Sequence, residues 1–198
     1  MRQWNIPPPS EDSVVEFAEF ASKQSPPGSF YELQQDSIRS TRLALKDGHR
    51  LLEIEFPPLP ASVLEMDDVS AYDVAEANIN LALEFSKGLL TALQERDEGL
   101  DVKKIALVLP DEAALDLAVE KVGSADPFPG ITLSSLRKSD PDDDRLIKPE
   151  QLLLSLFGTS PGVVKLVEGA DMYVCLTASA QELPDIEELS KLCPDVPI

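Results

Sequence analysis

Apolar residues recur along this chain with two different periods, and the switching between those periods predicts alternating helices and strands. Behind an extended proline segment at residues 4–9, Ser10 can cap a short helix whose apolar positions Val14, Val15, Phe17, Ala18 and Ala21 follow helical spacing. Ser29 with Glu32 three positions later matches a capping box. The helix it opens carries Leu33, Ser37, Ile38, Thr41 and Leu45 on one stripe, with Gln35, Arg39, Arg42 and Lys46 pointing away, and Gly48 supplies a left-handed stop. Residues 50–56 then change to period two, with Leu52, Ile54 and Phe56 on one side and Leu51, Glu53 and Glu55 on the other, which predicts a strand with one wetter face. Pro57, Pro58 and Pro60 end that pairing, and residues 65–68 read as acidic loop.

Ser70 with Asp73 resembles another cap, and a stripe of Val74, Ala77, Asn78, Leu81, Ala82, Phe85, Leu89 and Leu93 predicts a long helix up to the charges before Gly99. The continuous apolar run at 103–110, KKIALVLP, predicts a central parallel strand covered on both faces. Asp111 caps a helix to about Val122 with Gly123 as its stop, and residues 131–136 alternate as a short strand near an edge. Residues 139–145 are a charged loop, and Pro149 suits the first turn of a helix holding Leu152, Leu153, Leu156 and Phe157. The run at 171–179 repeats the buried-strand pattern, and Ser179 with Glu182 predicts a capping box opening a helix through Leu192.

This order predicts an α/β fold: a three-layer sandwich with a mostly parallel sheet of about four to five strands. The expected division is a proline-rich arm and short helix over residues 1–28, and one α/β domain over 29–198 that stops short of its own C-terminal end. With 198 residues and 43% hydrophobic content, the chain is long enough to bury a real core.

Charge narrows the function classes. Acidic residues outnumber basic ones 36 to 17, giving a formal charge of -19, and the basic residues are dispersed. Phosphate backbones and anionic lipid surfaces would be repelled, so no nucleic-acid partner is expected. No apolar run approaches the roughly 20 residues that span a bilayer, so a soluble chain without a transmembrane segment is expected. Cys175 and Cys193 lack the spacing of a disulfide framework or zinc site, and the first residues lack the features of a secretory or transit signal.

Ligands in open α/β sheets sit beyond the carboxyl ends of strands, which singles out Glu55, Asp111, Thr177 and Ser179 as candidate ligand-binding residues, with Glu53 beside them. Carboxylates from two strands could hold a magnesium ion, but Asp111 and Ser179 read equally as helix caps and the two glutamates as a solvated face; no metal and no cofactor is therefore expected. His49, the one histidine, follows a helix-stop glycine and reads as a surface turn, and no GxSxG, GxGxxG or GxxxxGK pattern accompanies it. Lys165 lies in a loop with glycines nearby, Cys175 reads as packing, and Trp4 and Phe20 are candidate partner-binding anchors.

The segments SIRSTRLALKDGHRLLEIEFPPLP from Ser37, KKIALVLPDEAALDLA from Lys103, GITLSSL from Gly130 and DMYVCLTASAQELPDIEELSKL from Asp171 together resemble a domain-of-unknown-function family of chloroplast and cyanobacterial proteins. That family includes an assembly factor named for low photosystem II accumulation. The resemblance implies a plastid protein of the stroma, associated peripherally with thylakoids. It further implies a non-catalytic assembly or maintenance role through contacts with photosystem subunits. The alternative is a small-ligand or nucleotide-binding, enzyme-like domain with its site at the strand ends.

Overall fold

The computed structural model describes residues 27–56, 69–95, 100–137, 164–176 and 180–198. Seven elements follow in order: α1 (Phe30–Lys46), α2 (Ala71–Glu95), β1 (Ile105–Leu109), α3 (Glu112–Val122), β2 (Ile131–Ser135), β3 (Met172–Cys175) and α4 (Leu183–Leu192). The strands form a parallel sheet in the order β2-β1-β3, with Leu107 paired to Leu133 on one side and to Val174 on the other.

β1 is buried along its whole length, as its unbroken apolar run demands. Ile105, Leu107 and Leu109 join one core with residues of α1, α2 and α3, while Ala106 and Val108 join a second with Ile186 and Leu189 of α4. Helices thus cover both faces, and the chain has the α/β, three-layer architecture its periodicities predict.

Local chemistry sets the helix ends. Ser29 Oγ accepts from the Glu32 N–H at 3.1 Å, and the Glu32 carboxylate reaches back to the Gly28 N–H at 2.8 Å. At the other end of α1, Gly48 at φ 88° lets its N–H reach Leu45 O while the His49 N–H reaches Ala44 O, the crossed pair of a Schellman stop. α2 has a reciprocal cap: the Asp73 N–H donates to Ser70 Oγ, and Asp73 Oδ2 accepts from both the Ser70 N–H and the Ser70 hydroxyl. Asp111 caps α3, with Oδ1 accepting from the Ala114 N–H at 2.8 Å.

Four readings of the sequence change. Arg42, expected to point away from the core, is 3% exposed, so α1 buries a wider arc than its apolar stripe marks. α4 starts at Leu183 with Glu182 at its N-cap and no side-chain cap; Pro184 fits the first turn, where its missing N–H costs nothing, and sets the start later than the Ser179 box would. Three strands, not four to five, occur among the described residues. Residues 50–56 are not one of them. Among the described residues their ladder-like bonds are Ile198 N–H to Arg50 O and Leu52 N–H to Ile198 O. The Tyr173 N–H in turn donates to Pro197 O. Pro197 and Ile198 therefore lie between β3 and residues 50–52, extending the sheet by two thin courses.

The proline arm with Trp4 and Phe20, the prolines at 57–60, the 139–145 loop and the 149–157 helix lie outside the described residues, as do Thr177 and Ser179.

Gly130 joins α2 to the sheet. At φ 79° its carbonyl accepts from the Ile105 N–H, and a Cβ there would stand 2.6 Å from Lys103 O and 2.8 Å from Leu90 Cδ2. Gly130→Ala should lower stability by about 1–3 kcal/mol through φ strain and this clash, read as a lower urea midpoint with an unchanged slope.

Candidate functional site

The carboxyl ends of β1 and β2 converge on a cluster of polar side chains where open α/β sheets usually hold ligands. Ser135, the last residue of β2 and fully buried, has its hydroxyl 2.6 Å from Glu112 Oε1 and 2.8 Å from Arg137 O. With one proton, it donates to one of these at a time. Lys165 Nζ donates to the same Glu112 oxygen at 3.4 Å and lies 3.5 Å from Ser135 Oγ. Glu112 is the first residue of α3, where a carboxylate also favours the helix dipole. Lys165 is carried in by an antiparallel bridge between Arg137 and Val164 and by its own N–H, which donates to Leu136 O at 2.9 Å.

Beyond this triad Arg137 Nε donates to Asp185 Oδ2 in a short charge-assisted bond, and Arg137 Nη2 reaches Gln181 O at 3.4 Å. Asp185, in the first turn of α4, is 8% exposed. The pair thereby ties α4 to the end of β2 across the second core.

These groups are arranged as fasteners. A serine wholly removed from solvent presents no oxygen to a substrate carbonyl. The acids at the strand ends satisfy donors of the protein itself: Asp111 the α3 terminus, Glu112 the serine and lysine, Asp185 the arginine.

Of the predicted residues, Asp111, Glu53, Glu55 and His49 are among those described. Asp111 sits at the strand ends as a cap. Glu55 lies exposed on the stretch beyond Ile198, and β3 and the Pro197–Ile198 course stand between that stretch and β1. Glu53 is likewise exposed. His49 lies in the α1 stop, its N–H engaged. Among the described residues, no group of three or more His, Cys, Asp or Glu is placed to hold a metal ion, and no helix is long and apolar enough to cross a membrane.

The sequence reading missed Glu112, Ser135, Arg137 and Asp185, and left Lys165 as a loop residue. Ser135 was traceable in principle, as a polar residue ending a strand whose inward positions are otherwise aliphatic. The partners lie 23 to 53 residues apart, and no spacing rule joins them.

Cys175 packs in the second core, where burial pushes its thiol up to about 12, and Cys193, at the end of α4, is raised less far by the same cause while donating to Leu189 O at 2.9 Å. Both are free thiols.

A family model described as Domain of unknown function (DUF1995) matches residues 27–198. No curated protein and no solved structure matches the chain.

Three outcomes check this account. Asp185→Ala should cost about 1–3 kcal/mol by leaving a half-buried guanidinium unpaired, and the double change Arg137→Met with Asp185→Leu should recover much of it in a denaturation series. In the native protein at pH 8, a thiol reagent should modify Cys193 well before Cys175. The Cys175 contribution to stability should hold below the ordinary thiol value of 9.0 and be lost as pH rises toward about 12, because the unfolded thiol ionises first.

Proposed function

Since the chain belongs to this DUF1995 family, we propose that it is a non-catalytic assembly or maintenance factor of the plastid, acting on photosystem subunits through protein-protein contacts at the stromal face of the thylakoid. The observation that carries this reading is the division of its acids. Those at the strand ends are engaged by the protein's own helix terminus, serine, lysine and arginine, while the net charge of -19 rests on a surface where Glu53 and Glu55 stand in solvent. A surface of that sign is suited to basic stromal segments of membrane subunits, for which charge complementarity speeds encounter and rejects acidic competitors.

The full chain, immobilised and exposed to detergent-solubilised thylakoids, should retain photosystem subunits at low salt and release them at high salt, because screening shortens the reach of surface charge to a few ångströms. Absence of those subunits at both salt concentrations overturns the reading.

A further inference from the structure

We infer that residues 51–55 form an open sheet edge that accepts an extended peptide of alternating basic and aliphatic residues, adding it as one more strand. The inference rests on the reading of the chain as a recognition module and names the surface and the chemistry of what it recognises.

Arg50 C=O and Leu52 N–H both point at Ile198, so in an extended backbone the N–H and C=O of Leu51 point to the opposite side, and those of Glu53 follow them. No backbone group of Leu51, Glu53, Ile54 or Glu55 has a backbone partner among the described residues. On the other edge of the sheet the outward N–H groups are engaged: those of Ile131 and Leu133 in β2 donate to Phe128 O and Ala125 O, and Thr132 Oγ1 donates to Asp126.

Side chains on that edge alternate in kind. Leu52 and Phe56 pack on the main core, the latter edge-on to Phe85 at 6.1 Å, which turns their face inward. Ile54, between them on the same face, is nevertheless 39% exposed. The opposite face carries Leu51, also 39% exposed, and the solvated carboxylates of Glu53 and Glu55. A strand laid alongside meets an open isoleucine on one face and two acids on the other, so an aliphatic residue alternating with lysine or arginine satisfies both.

The bland account is that Glu53 and Glu55 are there to keep the edge from pairing with another copy, as charged edges commonly do. That accounts for rejecting a second copy, whose own glutamates and charge of -19 would oppose these, and leaves a basic strand as the occupant the same charges admit.

The test uses the full chain and two fluorescent probes of about ten residues each, one of alternating lysine and valine, the other of the same composition with its lysines in one block. The alternating probe should bind with an affinity that falls as salt rises, should slow amide hydrogen exchange at Leu51 and Glu53, and should bind at least tenfold tighter than the block probe. Glu53→Lys with Glu55→Lys should weaken it at least tenfold, as should Glu53→Pro, which removes one outward N–H and spares the bonds to Ile198. Unchanged thermal unfolding of both variants certifies their folding. Equal affinity for the two probes, undiminished binding by the lysine variant, or no protection at Leu51 and Glu53 overturns the inference. So does protection of those amides without probe: dependent on protein concentration it assigns the edge to a second copy, independent of it to another segment of the same chain. If the lysine variant still retains photosystem subunits as well as the parent, the edge assignment falls and the assembly reading stands; if the parent retains none while the alternating probe binds as described, the assembly reading falls alone.

Discussion

Everything in this structure depends on a five-residue strand being dry on both faces. β1 contributes alternate side chains to two cores and lends its backbone to neighbours on either edge, so its position fixes where helices can lie and which strand ends form a rim. Its start is held by Asp171, whose Oδ2 accepts from the N–H groups of both Lys103 and Lys104 at 2.9 Å. A single carboxylate thus satisfies two donors at the mouth of the core, where main-chain groups without partners would be expensive.

Much of the fold was legible because it is written locally. The capping pairs at Ser29 and Ser70, the cap at Asp111 and the stops at Gly48 and Gly123 are short-range chemistry, and the apolar run at 103–110 leaves few alternatives to a central strand. Legibility failed where a remote partner decides. Arg42 is buried although its charge and position on α1 mark it for solvent. Residues 50–56 have strand-like alternation, yet a strand needs a neighbour of matching length, and Pro197–Ile198 supplies two residues. The start of α4 was misplaced because Pro184 restricts the first turn more firmly than a serine three positions before a glutamate favours one.

The candidate site was hardly legible at all. Asp111 was found, in its capping role, while the cluster beside it is assembled from α3, β2 and the stretch after residue 163. Ser135 and Lys165 have no motif because their work is to hold neighbouring elements in register, and that requires proximity in space alone.

The bond between Ile198 and residues 50–52 also has a kinetic meaning. It closes a loop spanning about three-quarters of the chain, and Pro197 must dock on Tyr173 for it to form. Contacts of such separation pay their closure entropy before any reward, so they belong to the late side of the folding barrier. The α1 stop and the β1–α3–β2 unit can form from nearby residues, whereas the outermost courses of the sheet wait for residues 50–52 and 197–198 to meet. Loosening them would then accelerate unfolding and leave the folding rate nearly untouched.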